Sequence, residues 1–489
     1  MLNEIIISLT PEEKAAFLYQ LKKKNKRNDT KNIALFNLIA SGSHHDYSVQ
    51  LYKKKSASAY HALSKRLSDS LIDFIAVKNF KEESSEEMEV LKLLITARVF
   101  FEQSNYKVGF KILKKAEVKA KELDFFNALN EIYYTKIQYA HLDETIDLEE
   151  VIADFEINKK LAIQEEKLNL FYASVQNDIA LNQFKIENLL LQNLKRFNIS
   201  ISETVTYRSL FKILDIANQT ANLVRDHKSV LPFIIESYEL LSQKENDGKY
   251  LYYQIQIIYY VANAYFRNKN LKTSLYYLSV MEEHMQLQNK KYLKRFTPQF
   301  ILLKTLNLNY SNQPEKAIYL IENFDFKKHK NEFSYVLDLK LCLVVYFFQQ
   351  SDFKKAQEVF NEFHHSDIWY TSKTSLLWVI KKNLLELLLY IELDYMDLVE
   401  SRIKSFQKKH INYLKQKNAF DVVVFFSLVK EYYQYPERIN SKKFKSKFQE
   451  LKNSLHVIEE DVFTMSFYAW LKAKINDTPL YETTLKLLS

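Results

Sequence analysis

Two histidine pairs, a lone cysteine and two lysine-rich runs are the side chains with which this sequence could do chemistry. His44-His45 and His364-His365 are adjacent pairs, and Asp367 follows the second. Neighbours on a helix point about 100° apart, so neither pair makes the i, i+4 face of a two-histidine metal site, and both read as solvated side chains. Cys342 lies in the apolar run LCLVVYFF, where a thiol is buried and inert, and a single cysteine leaves no disulfide within the chain. Only three glycines occur, Gly42, Gly109 and Gly248, far apart from one another. They cannot write a phosphate loop, a dinucleotide fingerprint or a nucleophile elbow. No Ser, His and Asp or Cys and His grouping follows from spacing. The acidic runs EESSEEMEV at 82 and LDETIDLEEV at 142 suit helix N-termini, where carboxylates meet the helix dipole. The expectation is a protein that is not an enzyme and holds no metal or cofactor.

The elements that would position any site are helices. The chain of 489 residues is 47% hydrophobic and 26% charged, enough apolar surface to fold rather than stay disordered. Six prolines and three glycines leave too little turn chemistry for the hairpins of a sandwich or barrel. Thr10, Pro11 and Glu13 spell a helix start, with Thr10 as cap and Glu13 placed to close a capping box; Ser84 with Glu87 is a second. After it Val90, Leu93, Leu94, Ala97 and Phe101 form one stripe at helical period, opposite Lys92, Arg98 and Glu102. The short break SNYK follows, then a second stripe through Tyr106, Gly109, Leu113 and Ala116. Two amphipathic helices so joined fold back antiparallel.

That break recurs. SNYKVGFKIL at 104, KNLKTSLYYL at 269, NQPEKAIYLI at 312 and SDFKKAQEVF at 351 each place a small residue five positions on, at Gly109, Ser274, Ala317 and Ala356. Four residues later comes a large apolar one, Leu113, Leu278, Ile321 or Phe360, which fills the space beside the partner helix. Degraded copies from 393 and from 225 place Leu398 and Val230 at the small position. The stretch 120–220 has helical period without a clean copy and is expected to form hairpins of the same class. Repeated two-helix units cannot bury their faces alone, so they stack.

VANAYFRNKNLKTSLYYLSVMEE (261 to 283), through Ala262, Tyr265, Ser274 and Met281, resembles a tetratricopeptide repeat, and LVVYFFQQSDFKKAQEVFNEF (343 to 363) is similar through Phe347, Ala356, Phe360 and Phe363. The resemblance spans five or six degenerate units between about 88 and 410. It implies an all-α fold: a TPR-like right-handed superhelix of stacked antiparallel helical hairpins that grips a protein or peptide on its concave side. That side would carry Tyr259, Asn263, Phe266 and Arg267 in one unit, Leu302, Leu306 and Asn309 in the next, and Leu341, Val345, Phe348 and Gln349 in the next. Asn263 stands where peptide-binding members contact a ligand backbone. The lysine and second asparagine of carboxylate-gripping members are replaced by Tyr259 and Leu303.

Residues 1 to 80 hold 13 Lys and Arg against 7 acids, an excess of +6 out of +9 for the whole chain. The runs LKKKNKRNDTK at 21 and LYKKKSASAYHALSKRL at 51 offer Lys22, Lys23, Lys24, Lys26, Arg27, Lys53, Lys54, Lys55, Lys65 and Arg66 to phosphates. The alternative function is therefore a nucleic-acid-associated regulator. Against it, the second run continues through Ala59, Leu63, Leu67, Leu71 and Phe74, which is built to pack, and the preceding gap is far longer than the turn of a helix-turn-helix. The expected organisation is a basic helical head through residue 80, stacked hairpins over 81–424 and a helical cap over 425–489. No long apolar stretch suggests a membrane span or a signal peptide, so a cytoplasmic protein is expected.

Overall fold

The computed structural model describes residues 2–24, 31–41, 47–52, 57–82, 86–181, 192–199, 207–224, 227–242, 250–329, 332–417, 419–454 and 462–487. Among them there is no strand: the structure is all-helical, with stacked helix pairs. No described helix is long and apolar enough to cross a membrane. The chain separates into two compact units, Met1–Lys92 with His364–Val379, and Leu93–Phe363 with Ile380–Ser489.

The first unit holds α1 (Leu2–Ser8), α2 (Pro11–Lys24), α3 (Lys31–Ala40), α4 (Tyr47–Tyr52) and α5 (Ala57–Glu82). The capping box at its second helix forms: the Thr10 N–H donates to Glu13 Oε2 at 2.7 Å, and the Glu13 N–H donates to Thr10 Oγ1 at 3.1 Å. Its core centres on Phe17, whose ring lies 5.2 Å from that of Phe36 and 5.3 Å from that of Phe74. Leu63, Leu67 and Leu71 complete the buried face of α5. A segment distant in sequence joins this unit: the short helix Asp367–Lys373 packs on α1, with Trp369 and Tyr370 buried. The cap that Ser84 would supply lies outside the described residues.

In the second unit run α6 (Glu86–Glu102, from Leu93 on), α7 (Tyr106–Glu122), α8 (Phe126–Tyr139), α9 (Leu148–Leu181), α10 (Tyr207–Val224), α11 (Leu231–Ser242), α12 (Leu251–Arg267), α13 (Leu271–Lys290), α14 (Leu293–Tyr310), α15 (Pro314–Glu322), α16 (Phe333–Gln349) and α17 (Phe353–Phe360). The helix already given, Asp367–Lys373, is α18. There follow α19 (Leu376–Glu392, from Ile380 on), α20 (Met396–Gln416), α21 (Phe420–Gln434), α22 (Lys442–Ser454), α23 (Val462–Asn476) and α24 (Leu480–Leu485).

The recurring sequence motif is one backbone turn. Its first residue, Ser104, Lys269, Asn312 or Ser351, is left-handed with φ of 60° or 61°. The next residue's N–H reaches the carbonyl five positions back: Asn105 to Phe100 at 2.8 Å, Asn270 to Tyr265 at 2.9 Å, Gln313 to Leu308 at 3.0 Å, Asp352 to Phe347 at 2.9 Å. This closes the first helix in a Schellman turn and aims the second back along it. Asn270 and Asp352 then cap that second helix, accepting from the N–H groups of Thr273 and Lys355. Gly109, Ser274, Ala317 and Ala356 are all buried between the paired helices, as are Leu113, Leu278, Ile321 and Phe360. At Gly109 a Cβ would stand 3.0 Å from the Phe101 ring, which is itself stacked on Tyr139 at 4.4 Å.

The turn geometry corrects one register. In the copy near 393 the left-handed residue is Asp394, with Tyr395 N–H bonding Tyr390 O at 3.0 Å, so the fifth position on is Val399. Val399 is buried, while Leu398 is 42% exposed. The repeat in this copy therefore starts at Asp394, one residue after Leu393. The same turn also occurs where no motif announced it: Asp124 is left-handed and Phe125 N–H bonds Ala120 O at 2.9 Å between α7 and α8. In the copy from 225, Val230 is buried but precedes α11 rather than lying inside it.

The first helices of successive pairs also pack on one another, α10 on α12, α12 on α14 and α14 on α16. They form a continuous row that presents one shared face.

Candidate functional site

A polar cleft of about 350 Å³ opens on that row. Among the described residues its walls come from α10 (Phe211, Asp215, Asn218), α12 (Gln256, Tyr259, Tyr260, Asn263, Arg267), α14 (Arg295, Gln299) and the start of α16 (Glu332, Tyr335). On α12 the spacing 256, 260, 263, 267 follows one face at helical period, and Tyr259 flanks it. The contributing residues are thus offered by four consecutive first helices, and among the described residues none comes from a second helix.

The walls are tied by polar pairs from one first helix to the next. Tyr260 Oη donates to Asp215 Oδ1 at 2.6 Å, and Gln219 Nε2 occupies the other carboxylate oxygen at 2.8 Å. Asn263 Nδ2 donates to Asn218 Oδ1 at 3.1 Å. Between α14 and α16, Tyr335 Oη donates to Gln299 Oε1 at 3.0 Å and Arg295 Nη1 to Glu332 Oε1 at 2.8 Å. Burial pushes the Tyr259 phenol up to about 12, with the Arg267 cation pulling it back. Burial, with the Asp215 carboxylate, also pushes Tyr260 up, and burial with neighbouring Tyr259 and acids pushes Tyr335 well up. The three phenols are therefore neutral hydrogen-bonding groups, and four carboxamides stand among them. A carboxamide offers a donor and an acceptor side by side, matching the polarity of a peptide unit.

Of the concave-side residues expected from sequence, the structure brings Tyr259, Asn263 and Arg267 together in this cleft. It does not bring the others there. Phe266 is buried, one turn after Ala262 on the face turned to its own hairpin partner. Phe348 is buried with its ring 5.3 Å from Phe353. Asn309 and Gln349 are buried in a polar chain, Asn309 Nδ2 donating to Gln349 Oε1 at 2.9 Å and Gln349 Nε2 to Ser466 Oγ at 2.9 Å. Tyr481 Oη of α24 donates to Asn309 O at 2.6 Å. The C-terminal helices thus cover the end of α14 and α16 that sequence alone leaves open; Leu341 and Val345 are buried as well, and Leu302 and Leu306 half-buried. Phe211, Asp215, Asn218, Arg295, Gln299, Glu332 and Tyr335 went unseen because each meets the site through a neighbour on the next helix, whereas Gln256 and Tyr260 share the helical period of Asn263 and Arg267, the signal that could have found them.

In the first unit Lys22 and Lys23 are exposed on α2, and Lys65 and Arg66 on α5, where the Arg66 Nε–H turns back to Ala62 O at 3.3 Å. The side chain of Lys24, and Lys26, Arg27, Lys53, Lys54 and Lys55, lie outside the described residues, as do His44 and His45. His365 stacks on Trp369 with centroids 3.9 Å apart, and its backbone N–H donates to Tyr370 Oη at 3.3 Å. Burial, then neighbouring His364, lowers its pKa. His365 thus packs against the rings of Trp369 and Tyr370, with His364 beside it at 4.3 Å between centroids. Cys342 is buried in α16, and burial pushes its thiol well up.

No protein-family model matches the chain, and no curated protein and no solved structure matches it.

Proposed function

We propose that this protein is a non-enzymatic scaffold that binds a peptide or protein segment in the cleft along its first helices, with the hairpins stacked as a TPR-like right-handed superhelix. One observation carries the reading: among the described residues the cleft is built from first helices of four consecutive pairs, the wall that such a stack leaves for a ligand. Its lining supports an extended backbone as occupant. Asn218, Gln256, Asn263 and Gln299 supply carboxamides along its length, and Phe211 and Tyr259 supply ring surface for side chains.

The test uses the full chain. A random library of 12-residue segments, displayed with free C-termini, is panned against it, and selected peptides are titrated calorimetrically against wild type, Gln256→Ala and Tyr259→Ala. Both positions are only half-buried. Each variant is expected to lose tenfold or more in affinity with helical circular dichroism unchanged. Failure to select any peptide, or binding undiminished in both variants, overturns the proposal.

A further inference from the structure

Another cleft, of about 500 Å³, lies in the second unit and shares no residue with the polar one. That volume suits a small ligand or a single long side chain. Among the described residues, four helices reach it with their C-terminal ends: Ser351 follows α16, Glu392 closes α19, Tyr432 lies in the last turn of α21 and Lys474 in that of α23. A helix C-terminus is the negative pole of the helix dipole, so these surroundings favour a cation. Phe353, Tyr432 and Trp470 contribute rings, the last two edge to face at 5.6 Å. A ring face attracts an ammonium group within about 6 Å of its centre.

The chain already keeps one ammonium at this place. Lys474 Nζ lies 2.7 Å from Glu392 Oε1 and 2.9 Å from Oε2, and 6.0 Å from the centre of the Trp470 ring. Glu392 is also pinned without it, because the buried Trp470 donates its Nε1–H to Oε1 at 2.5 Å. The lysine is the movable partner: its side chain is 33% exposed against 10% for Glu392, and its long stem can carry the charge into water.

We propose that this cleft binds an organic ammonium cation, whose nitrogen takes the place of Lys474 at Glu392 while its carbon groups lie against Trp470, Tyr432 and Phe353. Lys474 is the internal stand-in for that ligand. An anion would meet Glu392 and four negative helix ends. An uncharged molecule would leave the lysine where it is and gain ring contact alone. The ammonium belongs either to a free small molecule or to a lysine side chain of another protein.

The experiment titrates the full chain, by saturation-transfer nuclear magnetic resonance, with choline, with the uncharged isostere of choline in which carbon replaces nitrogen, and with an end-blocked Ala-Ala-Lys-Ala-Ala peptide. At least one of the two cations is expected to saturate, and the isostere to bind at least tenfold more weakly than it. The tighter of choline and the peptide identifies the source. Glu392→Gln keeps an acceptor for Trp470 and removes the charge, and is expected to weaken the cation at least tenfold. Lys474→Met keeps the stem and removes the competing ammonium, and is expected to tighten the cation at least threefold, which a merely structural ion pair would not do. Circular dichroism confirms that each variant is folded; should Glu392→Gln not fold, Lys474→Met decides. Saturation by neither cation, equal binding of the isostere, or no tightening in Lys474→Met overturns the proposal.

Discussion

Ser351 sits at φ 61° in a chain almost without glycine, and Lys269, Asn312 and Ser104 do the same work at their turns. An L-residue in the left-handed region costs roughly 1–2 kcal/mol, which the Schellman hydrogen bonds offset. Ser351→Gly is therefore expected to stabilise by roughly 0.5 kcal/mol after the larger unfolded-state entropy of glycine is subtracted, and Ser351→Val to destabilise by about 1 kcal/mol or more. Urea titrations of both variants check this; equal midpoints would show that the turn stores no strain. These positions are legible in the sequence as a motif but not as a conformation. The usual marker of a left-handed residue is glycine, and here serine, lysine and asparagine stand in its place.

At the scale of the element, caps and periods were legible and registers less so. Thr10, Pro11 and Glu13 predict the start of α2, and the box forms with both hydrogen bonds. What sequence could not show is that Lys78, 65 residues away, donates to the same carboxylate at 2.7 Å. Burial alone would raise the Glu13 pKa; the hydrogen bonds from Lys78 and Thr10 outweigh it and hold the carboxyl below its ordinary value. A depressed folded-state pKa contributes stability that is fully present above the ordinary value, 4.5, and is lost as pH falls through the folded one. Glu13→Gln should accordingly destabilise the first unit at pH 7, and the gap from wild type should close below about pH 4.5. Proteolysis rates within residues 1–92 across that range measure it, and a gap independent of pH contradicts the assignment. The slip at Leu398 has the same origin: a polar break marks where a helix ends only to within a residue, whereas the left-handed Asp394 fixes the count.

For the molecule as a whole, the stacking of helix pairs was readable from repeated small and large residues, because each pair needs the same close approach. The site was readable only in part. Tyr259, Asn263 and Arg267 lie on one face of one helix, which period reveals. Asn218, the partner of Asn263, and Gln299, the partner of Tyr335, join the site through pairings between helices, and the offset between paired residues varies from 45, for Asn218 and Asn263, to 36, for Gln299 and Tyr335. Such unequal offsets leave no period to find. The first unit's dependence on His364–Val379 was likewise invisible, since that segment sits amid repeats in sequence. Hydrogen–deuterium exchange of the full chain, with and without a selected peptide, tests the central claim most directly. The account predicts new protection on α10, α12, α14 and the start of α16, with their partners α11, α13 and α15 unchanged. Protection confined to second helices or to residues 1–92 would contradict it.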